Sequence, residues 1–403
     1  MTKPFTGIKV LEVAAWTFVP AAGAVLADLG ADVIKVEPPN GDPQRALMNL
    51  LAQSADGGKV ANPFLEIPNR GKRSITLDLN AEKGRETLLR LAEESDVFLT
   101  SYLPAVRAKL GITADDLRAV NPNLIYAAGS GWGRNGPMAD QGAYDLAAAW
   151  ASSSMAFKMS RGGTEPIFQP AAFFDLLGGN TIAGAVGGAL FHRERTGEAV
   201  DVDVSLLNMG MWALSPDITA GPHVGQIGAP PRDAAPNPVV NSYATADGRW
   251  LYLVLLQADR FWAELCQTID RPDLIEDPRF TDLPTRAANA RECVAELDAT
   301  FARHTLDEWR TRFKDFTGVW APVLSPAEVH DHVQVSPNGL LASLESNDGA
   351  PFRLPVSPMH FGGEPGTPEG PAPELGQHTE LLLLENGFDW DQITALREAG
   401  AFG

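Results

Sequence analysis

Apolar and polar positions change period several times along this chain, and the changes mark out its elements. Ile8 to Val13 is almost continuously apolar and predicts a buried strand. After it, Pro20 sits where a first helical turn tolerates proline, and AAGAVLADLG stops at Gly30 as a helix should. Ala31 to Glu37 reads as a second strand. The alternation continues with a strand over Ser74 to Leu79 and a helix from Ala81 to Glu94. A strand over Val97 to Leu99, helices near Pro104 to Leu110 and Ala114 to Val120, and a strand over Leu124 to Ala128 follow. Strand and helix alternating in this way make a parallel sheet covered on both faces, so the expected class is α/β.

The stretch Pro166 to Leu207 is more particular. Asp175 stands where a helix begins, and Gly179, Ala183 and Gly187, with Gly184 and Gly188 beside them, recur every four residues, a spacing that lets another backbone approach closely. Arg193, Arg195 and Gly197 supply a cationic last turn and a left-handed stop. Val200, Val202, Val204 and Leu206 then alternate with Asp201, Asp203 and Ser205 as a half-buried strand does. Asp175 has two readings: an N-cap receiving free amides, or a carboxylate that the helix end keeps ionised among apolar neighbours, which is a nucleophile.

Beyond this the pattern loosens. Ser215 to Asn241 is rich in Gly, Pro and Asp and reads as a linker. Tyr243 to Leu255 reads as a hairpin with a type I′ turn at Asp247-Gly248. Helices are expected over Asp259 to Ile269, Thr285 to Arg303 and Leu306 to Phe313, with a short strand over Val319 to Leu324. Ser336 to Glu374 reads as loop, and two helices, Thr379 to Asn386 and Trp390 to Ala399, follow. The domain reading is a large domain over 1–214, a linker over 215–241, a small domain over 242–325 and a return to the large domain over 326–403. Pro38 to Pro68 reads as an irregular surface excursion.

Composition narrows the chemistry. With 44% hydrophobic and 21% charged residues in 403, the chain is an ordinary globular protein, and its net charge of −19 argues against nucleic acid or an anionic membrane as partner. Two cysteines, Cys266 and Cys293, make no disulfide framework and fit a cytoplasmic protein. No apolar run is long enough for a membrane span. His330 and His332 form the only close histidine pair, too little for a metal site. The loop Ala14 to Val19 has no glycine to press against a pyrophosphate, and GSGWG at Gly129 fails the dinucleotide pattern. Ser130 is not flanked as a nucleophile elbow is. In so acidic a chain Arg70, Lys72 and Arg73 are candidate phosphate contacts.

GIKVLEVA at Gly7, PAAGAVLADLGADVIKVEPPNGDPQR at Pro20, NRGKRSITLDL, NPNLIYAAGSGWGRNGP, the Asp175 helix with HRERTGEAVDVDVSLL, TADGRW, APVLSP and LGQHT follow one another in an order that resembles family III CoA-transferases. That superfamily includes formyl-CoA transferases, carnitine CoA-transferases and α-methylacyl-CoA racemases. The resemblance implies a Rossmann-like large domain built from both chain ends, an inserted small domain, and a homodimer of interlocked subunits. It implies no permanently bound cofactor, with a coenzyme A thioester and a carboxylic acid as substrates. It makes Asp175 the nucleophile. It also places Thr17 and Phe18 at the reacting thioester, Leu77, Asp78, Leu79 and Asn80 at the nucleotide end, and Ser101, Tyr102 and Leu103 along the CoA groove. Lys109 would meet a phosphate and Tyr144 would flank the acyl pocket.

Departures qualify the substrate. Formyl-CoA transferases have glutamine at the position of Thr17, arginine at Pro38, lysine at Gly142 and a glycine-rich flap where this chain has Ala229 to Val240, so a larger, more apolar acid is expected. GDPQR and APNPVVNSY resemble the aryl-acid branch, such as the cinnamoyl-CoA:phenyllactate CoA-transferase. The racemases carry histidine where this chain has Tyr144, and an unperturbed tyrosine titrates near ~10, a poor base at neutral pH. Transferase chemistry is therefore preferred over a racemase or a non-catalytic acyl-CoA binding protein.

Overall fold

The structure, a computed structural model, describes residues 3–50, 60–160, 164–224, 228 and 230–402. Two compact units divide the chain: Met1–Ala156 with Ile167–His223 and Val333–Gly403, and Phe157–Pro166 with Val224–His332.

In the larger unit six strands form one parallel sheet. These are β1 (Lys9–Val13), β2 (Asp32–Glu37), β3 (Arg73–Thr76), β4 (Val97–Thr100), β5 (Ile125–Ser130) and β6 (Val202–Ser205), in the order β3-β2-β1-β4-β5-β6. Successive side chains on each strand enter opposite cores. Val10, Val33, Val97 and Ile125 join one, and Leu11, Ile34, Phe98 and Tyr126 the other. The first core is closed by α1 (Phe18–Asp28) and the second by α3 (Glu82–Glu93) and α5 (Ala114–Val120), leaving α2 (Pro63–Asn69), α4 (Pro104–Leu110), α6 (Met155–Met159) and α7 (Phe173–Thr196) to be placed. Residues 379–402 complete the second core through Leu382, Leu383, Ile393 and Leu396.

The sheet grows outward from β1 in one direction and from β4 in the other. Crossovers on opposite sides there leave a crevice at the carboxyl ends of β1 and β4. Helix α7 packs on α1 beside that crevice, and its small residues make the approach possible. A Cβ on Gly179 would lie 2.6 Å from the Ala21 Cβ, and one on Gly178 would lie 2.3 Å from the Phe18 ring. The other small face of α7 is open: nothing stands within 4 Å of a Cβ added to Gly184 or Gly188.

In the smaller unit, Val240–Ala244, Trp250–Val254 and Trp320–Pro322 make an antiparallel sheet. Its core is aromatic, with Phe301 within ring-contact distance of Tyr243, Trp309 and Phe313. Cys266 and Cys293 are buried and free, and burial pushes both thiols up to about 12, which makes them poor nucleophiles.

Several expectations need correction. The stretch read as a linker forms a helix over Ser215–Val224 in spite of Pro222. The hairpin joins its strands by a longer loop in which Gly248 has φ 72° and Asp247 keeps a negative φ, so the turn is not type I′. Thr285 to Arg303 is two helices, Leu283–Ala288 and Ala290–Phe301, because Asn289 leaves the helical region between them. Within Ser336 to Glu374 two short antiparallel pairs form, Leu341–Glu345 with Pro351–Pro355 and His360–Phe361 with Glu364–Pro365. Pro38 to Pro68 is not all surface, since Asp42 and Gln44 are buried; residues 51–59 lie outside the described residues.

Candidate functional site

A cavity of about 350 Å³ occupies the crevice. Its walls come from strand ends: Trp16 and Phe18 after β1, Ser101 to Leu103 after β4, Gly129 to Gly131 at β5, and Asp203 and Leu206 at β6. Tyr144 closes one side with its ring edge-on to Trp16, the centroids 5.5 Å apart. Phe18 reaches the cavity floor because Gly129 offers no side chain; a Cβ there would stand 2.8 Å from the ring and 2.4 Å from Val19 Cγ2. Within the GSGWG segment, Gly129 therefore serves close packing of the first residues of α1, after β1.

Asp175 faces the same cavity from the first turn of α7. It is the third helical residue and not the cap. Ala172, in the left-handed region at φ 55°, precedes the helix, and the Asp145 carboxylate does the capping by accepting from the Phe174 N–H at 3.2 Å. Asp145 also accepts from Leu146 N at 2.7 Å and from Gln169 Nε2 at 2.5 Å. Gln169 is buried, and its Oε1 has no partner among the described residues.

With the cap filled by another acid, Asp175 receives no hydrogen bond or ion pair among the described residues. Burial, and secondarily the negative charge of Asp145, pushes its carboxyl up from 3.8 to about 7. Against the expectation that the helix end keeps this acid ionised, burial and a like charge leave it near the middle of its titration at neutral pH. The result is a carboxylate that is basic, unpartnered and aimed into an apolar-walled cavity, which is what a nucleophile needs.

The remaining candidates sort by geometry. Phe18, Ser101, Tyr102, Leu103, Tyr144 and Asp175 line the one cavity. Thr17 does not; its hydroxyl accepts from Gln44 Nε2 at 3.1 Å behind the loop, and Trp16 takes the cavity wall. Leu77 and Leu79 are core residues, while Asp78 and Asn80 bond to one another at the start of α3. Lys109 is exposed on the outer side of α4, and Arg107, two residues or about 200° earlier on the helix, turns inward to the cavity.

The basic triplet is corrected. Arg70 pairs with Asp28 at 2.6 Å, Lys72 is buried against Glu12 at 2.7 Å, and Arg73 pairs with Asp32 and Glu385, each at 2.5 Å. All three are engaged within the protein, Arg70 and Lys72 buried and Arg73 partly so, and burial lowers the Lys72 ammonium to about 7. Of the flap segment, Ala229 lies outside the described residues. Sequence reasoning passed over Trp16, Arg107 and Asp145. The helical spacing from Lys109 could have found Arg107; Asp145 had a sequence signal only as the residue beside Tyr144.

Among the described residues no group of three or more His, Cys, Asp or Glu side chains could hold a metal ion, and no helix is long and apolar enough to cross a membrane.

Comparison with known proteins agrees with this geometry. A family model described as CoA-transferase family III matches residues 5–379. A probable fatty acyl-CoA transferase of Mycobacterium tuberculosis is 33% identical over 400 residues, covering 94% of this chain and 98% of that protein. The cinnamoyl-CoA:phenyllactate CoA-transferase of Clostridium sporogenes is 29% identical over 404 residues, covering 98% and 97%. The crystal structure of a CAIB/BAIF family protein from Brucella suis superposes with a TM-score of 0.83 at 28% identity, covering 96% of this chain and all of that one (100%). A matched family model over most of the chain, a relative above 30% identity and the same fold make this chain a member of CoA-transferase family III.

Proposed function

We propose that this protein moves coenzyme A from an acyl-CoA to a free carboxylic acid, with Asp175 as covalent carrier and an apolar acyl group in the cavity. The carrying observation is the unpartnered Asp175 carboxylate facing the crevice, its basicity raised by burial. In the first step a carboxylate oxygen attacks the thioester carbon; the C–S bond breaks, CoA leaves as thiolate, and an acyl-aspartyl anhydride remains. The thiolate then attacks the aspartyl carbonyl of that anhydride, releasing the donor acid as carboxylate and leaving an aspartyl-CoA thioester. The acceptor carboxylate repeats the two steps in reverse, and Asp175 returns as a free carboxylate. Starting from the ionised Asp175 none of these steps moves a proton, so the sequence needs no general base.

The aromatic walls Trp16, Phe18 and Tyr144 support an apolar acid and would keep water from the anhydride. The relative that acts on cinnamoyl-CoA and phenyllactate supports the same class. A second subunit belongs to the reading: the open face of α7 at Gly184 and Gly188 is flanked by exposed Leu177 and Phe191, an apolar strip suited to another copy of this chain.

The test is intact-protein mass spectrometry after incubation with succinyl-CoA, acetyl-CoA or 3-phenylpropanoyl-CoA, then with hydroxylamine. A hydroxylamine-sensitive CoA adduct on Asp175, absent from Asp175→Ala, is expected. An adduct elsewhere, or none with any donor, overturns the reading.

A further inference from the structure

The cavity wall rests on an unusual backbone. Trp16 has φ 68°, one of four non-glycine residues in the left-handed region among those described. A tryptophan there is strained relative to glycine, and the state persists only if its surroundings impose it. The surroundings do. Ala15 N donates to Ser101 Oγ at 3.1 Å, Trp16 N donates to Asp42 Oδ1 at 3.1 Å, and Thr17 Oγ1 accepts from Gln44 at 3.1 Å. Three consecutive loop residues are thus tied down, Ala15 to the end of β4 and Trp16 and Thr17 to the segment that carries Asp42 and Gln44.

Asp42 is the point where these ties meet charge. Its Oδ1 also accepts from Gln44 N at 3.0 Å, and its Oδ2 accepts from Lys35 Nζ at 2.9 Å. Lys35 is fully buried; it reaches Glu12 at 3.4 Å and donates to the Ala14 carbonyl at 3.3 Å, so it holds the loop from beneath as well. Glu12 in turn is held by Lys72, which donates to both its oxygens and to the Pro20 carbonyl at 2.8 Å in the first turn of α1. A chain of buried charges therefore runs under the sheet's central strand and ends on the backbone that presents the Trp16 ring.

We infer that Asp42 is a positioning residue for acyl selection: by holding Trp16 in the left-handed conformation it sets the indole against Tyr144 and so fixes the wall that an apolar acyl chain meets. The inference rests on the CoA-transfer reading and names a specificity device within it. The chemistry of Asp42 is hard to replace. Both oxygens face donors, Trp16 N and Gln44 N on one side and the Lys35 ammonium on the other. A carboxylate accepts on both sides; an asparagine amide accepts on only one. In Asp42→Asn the charged lysine claims the remaining oxygen, Trp16 N loses its acceptor, and the strained φ loses its support.

Selection is read by binding, so that turnover does not enter. In the Asp175→Ala protein, calorimetric affinities for 3-phenylpropanoyl-CoA and acetyl-CoA are compared for the parent, Asp42→Asn, Trp16→Ala and the double variant. Asp42→Asn is expected to lower the preference for the phenyl ester about tenfold, the scale of lost apolar pocket contacts, with acetyl-CoA affinity changed less than about twofold. In the Trp16→Ala background Asp42→Asn should leave the preference unchanged. Equal loss for both esters, or a preference that still falls once Trp16 is gone, overturns the inference. Should Asp42→Asn fail to fold, Gln44→Ala releases Thr17 and must show the same shift in smaller measure. If the parent binds neither ester, the CoA-transfer reading itself fails; if it binds both and the preference never moves, only the role of Asp42 does.

Discussion

Replacing Asp145 by asparagine should shift the pH dependence of the first chemical step toward acid. In the structure the Asp175 carboxyl rises from 3.8 to about 7, with burial the larger cause and Asp145 the smaller. The share owed to Asp145 is therefore less than half, or less than about 1.6 in pKa and at most about 2 kcal/mol. Only the ionised acid attacks a thioester, so kcat/KM for loading CoA onto Asp175 should rise with pH and level off above an apparent value near 7 in the parent. In Asp145→Asn the same curve should level off about 0.5 to 1.5 lower. The variant should fold. Asp145 accepts from Phe174 N and Gln169 on one oxygen and from Leu146 N on the other, and Gln169, whose Oε1 is free of partners among the described residues, can turn to accept from the new amide. One backbone N–H is left short, at a cost of about 1 kcal/mol. The assay is single-turnover formation of the aspartyl-CoA adduct at subsaturating acyl-CoA, quenched and followed by intact-protein mass between about pH 5 and pH 9, where the midpoint reports the free enzyme. An unmoved midpoint, or one displaced toward base, would refute the like-charge argument and leave burial as the whole cause.

Asp175→Asn should abolish transfer and yet stabilise the fold above neutral pH. A carboxyl whose pKa is raised on folding favours the native state while protonated, and that advantage is lost as pH rises from about 4 through about 7. Above that range its ionisation costs the native state at most about 4 kcal/mol, and on the order of 2 once solvent screening is allowed for. Calorimetric melting should show the variant more stable at pH 8 and indistinguishable at pH 4; a variant less stable at both would contradict the pKa assignment. Lys72→Met should lower stability by about 3 to 5 kcal/mol, because the buried Glu12 loses the partner that donates to both its oxygens. CoA affinity of the folded fraction should stay within about twofold; a drop with unchanged melting would return Lys72 to the phosphate-binding role.

Much of the sheet was legible because its strands obey local rules. Val97 to Thr100 and Ile125 to Ser130 are apolar runs, and α4 and α5 end where Gly111 and Asn121 stop them. Asp175 was legible as a helix-start acid. Its electrostatics were not, because the acid that caps the helix lies 30 residues away in sequence and is brought there by the fold. The basic triplet failed for a related reason: sequence shows three cations in a row and cannot show Asp28, Glu12 and Asp32 waiting for them. Trp16 escaped because nothing in its own letters signals a positive φ; the cause sits in Asp42 and Lys35.

The second core has a consequence for timing during synthesis. Leu11, Val13, Ile34 and Phe98 share this core with Leu382, Leu383, Ile393 and Phe402, which are made later, Leu382 following Phe98 by 284 positions (382 − 98). Contacts across so long a stretch of chain are slow to close. A ribosome adding about 5 to 20 residues per second takes tens of seconds between the two. Through that interval α3 and α5 cover only part of the second core, and the apolar side chains that residues 379–402 complete stay exposed on the nascent chain.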